Sequence, residues 1–265
     1  MKRDIKSIKN FLFDMDGTIY LGEKLFPGTL PLLEKIRSSG RHAVFLTNNS
    51  SMSPEDYALK LSRLGIFAPP GDIFTSGDAA AQVLSGEFAN AKIYLLGTPS
   101  LEKQLSRAGF EIVNSRAQIK PDVVLLGFDK TLTYEKIMHA CEHISRGVPF
   151  YATHPDILCP MENGFIPDTG SMIKMFEAAT GVSPVVVGKP EKTMADAVMS
   201  RYGFRPEETA MVGDRLMTDI AFANNAGIAA VLVLSGETDL KMYNSQNEAA
   251  ADFIFPSVSE LSAQL

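Results

Sequence analysis

The chain has 265 residues, 45% of them apolar and 21% charged, with a formal net charge of −6. That length and apolar share supply core for one large or two modest domains. The acidic balance, the absence of tryptophan and the lack of any basic run longer than two residues exclude a basic nucleic-acid footprint. No apolar run is long enough for a bilayer, and the start Met1-Lys2-Arg3-Asp4 has charge without an apolar segment, so neither a membrane span nor a signal peptide is expected. Two cysteines, Cys141 and Cys159, suit reduced thiols and a cytoplasmic protein.

In chain order, Lys9 to Phe13 predicts a first strand, which runs into Asp14-Met15-Asp16-Gly17-Thr18. An apolar run that stops at two carboxylates and a glycine reads as a strand ending in a site-forming loop or a turn. Pro31 to Ser39 predicts a helix stopped by Gly40, and Ala43 to Leu46 a second strand ending in Thr47-Asn48-Asn49. Ser53-Pro54-Glu55-Asp56 opens a helix with Ser as cap, Pro at the first helical position and acids at the positive end, running to Leu64.

Beyond the breaker cluster Pro69-Pro70-Gly71, a separate βαβα run is expected: strands over 92–97 and 123–127, helices over 100–108 and 134–146. Residues 158–170, with Pro160, Gly164, Pro167 and Gly170, predict an irregular loop, and residues 171–180 a helix. Val185 to Val187 predicts a short buried strand ending in Gly188-Lys189-Pro190. Ala210 to Val212 predicts another, ending in Gly213-Asp214, with helices over 193–202 and 218–225. Residues 229–234 and 252–255 complete the strands.

Four apolar strands thus end in Asp14-x-Asp16, Thr47-Asn48, Lys189 and Asp214. Each pattern alone is an ordinary turn or a solvated charge. In a parallel sheet the four would meet at one edge, where ligands bind in open α/β folds. Three carboxylates at one point repel unless a cation sits among them, and a small hard cation with oxygen ligands is Mg2+. A carboxylate can then attack phosphorus to form an aspartyl-phosphate. Thr, Asn and Lys supply donors for phosphoryl oxygens, and a second Asp can move protons.

These residues resemble the motifs of the haloacid dehalogenase superfamily, in the NagD-like phosphatase branch with a large α/β cap. Asp14-Met15-Asp16-Gly17-Thr18 matches the first motif, Thr47-Asn48-Asn49 the second, Gly188-Lys189-Pro190 the third and Gly213-Asp214-Arg215-Leu216-Met217-Thr218-Asp219 the fourth. The resemblance implies a doubly wound parallel-sheet core of the Rossmann type at 1–78 and 184–265, with an inserted α/β cap at 79–183. It implies Asp14 as nucleophile and Mg2+ ligand, and Asp16 as general acid/base that lends its backbone carbonyl to the metal. Thr47 and Asn48 would grip the phosphate, Lys189 would neutralise phosphate and Asp14, Asp214 would complete the metal ligands, and Asp219 would support them from behind. The stretch from Thr153-His154-Pro155-Asp156 to Ser171 resembles the branch's substrate-specificity loop, with His154 and Asp156 as contacts. Cap-mediated homodimers are common in this branch, which leaves open whose active site the cap loop serves.

The expectation is Mg-dependent hydrolysis of a small phosphorylated metabolite, such as a sugar phosphate, a nucleotide monophosphate or an aryl phosphate, with no nucleic-acid or membrane partner. A phosphomutase would use the same aspartyl-phosphate, and a phospho-acceptor switch protein a similar pocket, although a switch needs neither Asp16 nor a cap. Dehalogenases of the superfamily lack the second Asp of the first motif, and here Asp16 is present. Two decoys are set aside. Phe128-Asp129-Lys130-Thr131-Leu132-Thr133 resembles, at Asp-Lys-Thr, the phosphorylation motif of cation pumps but reads as a strand end and helix cap in the inserted domain. His154, Asp156 and Cys159 lack a fourth ligand at zinc-finger spacing.

Overall fold

The structure, a computed structural model, describes residues 3–113, 120–161, 164–246 and 248–265. The chain divides into two compact units, one formed by Met1–Thr47, Pro54–Phe74 and Lys189–Leu265, the other by Asn48–Ser53 and Thr75–Gly188. The expected boundaries at 78/79 and 183/184 therefore move to 74/75 and 188/189, and residues 48–53 join the second unit.

The first unit is built on a six-stranded sheet in the order Phe253–Phe255, Ala229–Val233, Thr209–Gly213, Asn10–Phe13, His42–Thr47, Ile73–Thr75. Its pairings from Phe253–Phe255 through His42–Thr47 are parallel. All four residues of Asn10–Phe13 and all five of Ala229–Val233 are buried, as a parallel sheet covered on both faces requires. The chain leaves the Asn10–Phe13 strand on one side and later returns on the other. The carboxyl end of that strand is therefore a topological switch point, the place where such sheets hold ligands. Asp14 is the next residue, and its amide extends the ladder by donating to the Val212 carbonyl at 2.9 Å.

The second unit carries a five-stranded parallel sheet in the order Val185–Val186, Phe150–Ala152, Val123–Leu126, Lys92–Leu96, Glu111–Val113. Its core gathers Tyr94, Leu96, Val124, Leu126, Phe150 and Phe176. Its helices open on side-chain caps: Thr75 forms a capping box with Asp78, Thr98 precedes Pro99, and Thr133 receives the Lys136 amide.

Three expectations change. Val185–Val186 does not belong to the first sheet; it pairs with Tyr151 and Ala152 in the second. Lys189 reaches the site because the chain re-enters the first unit there, not because a core strand ends at it. Residues 158–170 are not an irregular loop: Leu158–Met161 and Gly164–Pro167 pair as an antiparallel ribbon, and the following helix starts at Thr169 under an Asp168 cap. Residues 128–133 do form a strand end and helix cap as expected, with Thr133 capping the helix Tyr134–Ser145. The fourth motif opens as a π-helical turn over Leu216–Ile220 before the α-helix Ala221–Ala226.

Candidate active site

Three carboxylates of the first unit, Asp14, Asp214 and Asp219, bring oxygens within 4.8 Å of one another. Lys189 lies among them, its side chain 1% exposed, with Nζ donating to Asp14 Oδ1 and Asp219 Oδ1, each at 2.7 Å. The Leu46 carbonyl stands 3.5 Å from the same nitrogen. Thr47 ends the neighbouring strand and is buried.

The cluster is built by local backbone geometry. Gly17 has φ +89°, and a Cβ there would collide with the Asp214 carboxylate; Gly213 is closed in the same way by Asp219, and Gly236 by Asp214. Only glycine admits both that backbone and that proximity. Asp214 is held by two donors, the Thr18 hydroxyl at 3.1 Å on Oδ1 and the Glu237 amide at 2.7 Å on Oδ2. Asp219 closes back on residue 215: its amide donates to the Arg215 carbonyl at 2.9 Å and the Arg215 amide to Asp219 Oδ2 at 3.2 Å, while the Ile220 amide makes the π-type bond to the same carbonyl at 3.2 Å. Such turns recur at functional sites.

The electrostatics show what the cluster lacks. Burial pushes Asp14 well above the usual carboxylate range; Lys189 opposes this, and Asp219 and Asp214 reinforce it. Asp214 is pushed up to about 7, first by burial and then by Asp219, against the opposing Glu237 amide and Thr18 hydroxyl. Burial alone would lower Lys189, yet Asp14 and Asp219 leave it above the ordinary lysine value. With all four groups ionised, three carboxylates and one ammonium carry a net charge of −2, which a divalent cation cancels. Oxygen-only donors in a buried pocket fit a hard ion such as Mg2+.

The other residues singled out in the sequence have partners of their own. The Asp16 side chain is 52% exposed and faces Lys60, outside the three carboxylates. Asn48, His154 and Asp156 belong to the second unit. There Asn48 Nδ2 donates to Asp156 Oδ2 at 3.1 Å, and the Asn48 carbonyl accepts from the Ser76 hydroxyl. His154 is wholly buried, with Nδ1 2.9 Å from the Thr153 hydroxyl and Nε2 2.8 Å from Asp168 Oδ1. Both ring nitrogens are thus engaged inside the fold. Cys159 lies on the ribbon, its thiol directed to the Pro160 carbonyl at 3.7 Å. Asp129 is buried against Lys136 at 2.7 Å and Thr131, a closed local network. Residues that sequence reasoning left unassigned are Thr18, Glu237, Tyr20 and Lys60. Thr18 sits inside the quoted first motif and Tyr20 two residues beyond it; Lys60 and Glu237 come from distant positions with no local signal.

Comparison with known proteins gives a consistent picture. A family model described as haloacid dehalogenase-like hydrolase matches residues 11–111, and a second, described as HAD-hydrolase-like, matches residues 186–261. The acid sugar phosphatase of Staphylococcus aureus is 33% identical over 261 residues, covering 98% of this chain and 99% of the relative. The solved 4-nitrophenylphosphatase of Thermotoga maritima is 41% identical with a TM-score of 0.93, covering 98% of each chain. A glycerol phosphate phosphatase of Mycobacterium tuberculosis, solved in complex with magnesium, is 31% identical with a TM-score of 0.90, covering 98% of this chain and 78% of that one.

Proposed function

Because the chain belongs to the haloacid dehalogenase-like hydrolases, as a phosphatase of their NagD-like branch, we propose that it hydrolyses small phosphate monoesters through an aspartyl-phosphate on Asp14. The observation that carries this reading is Lys189 joined to Asp14 and Asp219 beside Asp214, a buried site two charges short of neutrality. Asp14 and Asp214, with the backbone carbonyl of Asp16, would hold Mg2+. When bound, the ion would shield the negative charge of a phosphate approaching Asp14.

An Asp14 carboxylate oxygen attacks phosphorus as the bond to the leaving oxygen breaks, and Asp16 gives that oxygen its proton. Asp16 then takes a proton from water, whose oxygen attacks the same phosphorus. Inorganic phosphate leaves, and the Asp14 carboxylate is restored. Lys189 balances the charge of Asp14 and of the phosphoryl oxygens, and Thr47 and Asn48 donate to those oxygens. Asp219 keeps Lys189 in place.

Sugar phosphates, glycerol phosphate and aryl phosphates are the esters to try, from the activities named for the relatives. Leaving-group choice is assigned to the second unit, since the Asp14 cluster addresses only phosphate and metal. Phosphate release from such a panel, in Mg2+ and in chelator, is the test. Release in Mg2+ that chelator abolishes is expected; full activity in chelator would sink the metal role.

A further inference from the structure

Asp16, the residue assigned to proton transfer, has two neighbours with no role so far. Lys60 lies on the helix Pro54–Arg63, one residue before the wholly buried Leu61. Its Nζ donates to the Tyr20 phenol oxygen at 3.0 Å, stands 3.5 Å from Asp16 Oδ2, and lies 4.2 Å from the centre of the Tyr20 ring. Tyr20 is wholly buried, and burial first and the nearby Asp16 next push its phenol well above the ordinary tyrosine range. The backbone closes the same turn: the Gly17 amide donates to the Tyr20 carbonyl at 2.8 Å, and Asp16 and Tyr20 form a bridge pair.

The roles are fixed by donor chemistry. An ammonium only donates, so it takes the Tyr20 oxygen as acceptor and leaves the phenol proton for Asp16. Lys60 also faces Oδ2, which ties one oxygen of the Asp16 carboxyl to a fixed direction. A half-exposed aspartate without such partners samples several rotamers, whereas proton transfer needs one orientation. An ion pair this exposed adds little to stability, so stability is a weak reason for the arrangement.

We propose that Lys60 and Tyr20 are positioning residues for Asp16, Lys60 orienting the Tyr20 hydroxyl and both holding the carboxyl that protonates the leaving oxygen. The proposal rests on the reading of Asp16 as general acid. It is tested by kcat/KM, in saturating Mg2+, for esters running from 4-nitrophenyl phosphate through phenyl phosphate to glycerol phosphate. A nitrophenolate departs without a proton; an alkoxide does not. Relative to the unmodified enzyme, Lys60→Met and Tyr20→Phe should lower kcat/KM for glycerol phosphate about ten- to a hundredfold, and for 4-nitrophenyl phosphate less than about threefold. Lys60→Arg should restore most of the loss, and the melting temperature of Lys60→Met should be unchanged. Asp16→Asn, measured alongside, should show a steeper version of the same gradient. If Asp16→Asn shows the gradient while Lys60→Met loses equally on every ester, the positioning role is overturned and the acid assignment stands. If Asp16→Asn shows no gradient, the acid assignment falls and the proposal with it.

Discussion

Among the described residues, two places gather three metal-ligand-type side chains within 4.8 Å: Asp14, Asp214 and Asp219 in the first unit, and His154, Asp156 and Asp168 in the second. By composition the second is the better transition-metal site, since it includes an imidazole. Their wiring says the opposite. In the second unit Asp168 Oδ1 accepts from the Thr169 amide and hydroxyl as well as facing His154, Asp156 accepts from Asn48, and Thr153 links His154 to Ser50. Each polar group has a protein partner, and Asp168 spends its carboxylate capping the helix Thr169–Thr180. In the first unit one ammonium pairs with two of three carboxylates, and two of the three carboxyls, Asp14 and Asp214, are driven up by burial. A polar cluster whose acceptors are filled by neutral donors of its own unit is architecture; one whose carboxylates crowd together out of water around a single ammonium is a receptor.

The largest effect should come from removing the nucleophile. Asp14→Asn keeps the shape and loses the charge, so phosphate release from 4-nitrophenyl phosphate should fall by about a thousandfold or more. Asp129→Asn, at a buried carboxylate paired with Lys136 in the second unit, should keep most of the activity. The reverse ranking would falsify the division between the two kinds of cluster.

A smaller effect separates receptor from architecture without any turnover. Mg2+ in about hundredfold excess over its dissociation constant should stabilise the unmodified protein by roughly 2.7 kcal/mol, read as a rise in melting temperature. Asp214→Asn should abolish that rise. His154→Ala should lower the starting melting temperature, at a cost of about 1–3 kcal/mol for its lost partners, yet keep the Mg2+-induced rise. A rise that vanishes in His154→Ala and survives in Asp214→Asn would place the cation in the other cluster.

The first unit's site was largely legible in the sequence because its residues follow strands: Asp14 after Phe13, Thr47 at its strand's end, Asp214 after Gly213. Strand ends are local signals, and a parallel sheet does the assembling. What failed to show is non-local. Val185–Val186 looks the same whichever sheet it joins, since only its partners Tyr151 and Ala152 decide. Pro160 and Pro167 read as breakers, but in a two-stranded ribbon a proline can face away from the ladder, where a missing amide costs nothing. The turn over Leu216–Ile220 departs from the 3.6-residue period, so no helical pattern reveals that Asp219 folds back on Arg215. Lys60 carries no sign in sequence that it meets Asp16. That both nitrogens of His154 find partners inside the fold is visible only in three dimensions.

The finest test compares two threonines, one beside each cluster. Thr18 donates to Asp214 Oδ1 at 3.1 Å and is wholly buried; Thr153 touches His154 Nδ1 at 2.9 Å and is equally buried. Valine keeps the shape of either side chain and removes the hydroxyl. At Thr18 the loss leaves Asp214 with the Glu237 amide as its remaining named donor, so the carboxylate is less firmly aimed. Groups that orient a metal-bound carboxylate typically matter by about ten- to a hundredfold in metal affinity. Asp214 keeps one donor, so Thr18→Val should fall near the lower figure, raising the Mg2+ concentration for half-maximal activity about tenfold. Activity at saturating Mg2+ should change little, because Thr18 touches neither Asp14 nor Lys189 among the hydrogen bonds described. Thr153→Val should do the converse, costing about 1 kcal/mol or somewhat more in stability while the Mg2+ dependence stays in place. Mg2+ titrations of phosphate release, paired with thermal melts of both variants, decide it. Equal shifts in Mg2+ dependence for the two would mean that the hydroxyls act only through general stability, and that buried excess charge does not set the Asp214 cluster apart.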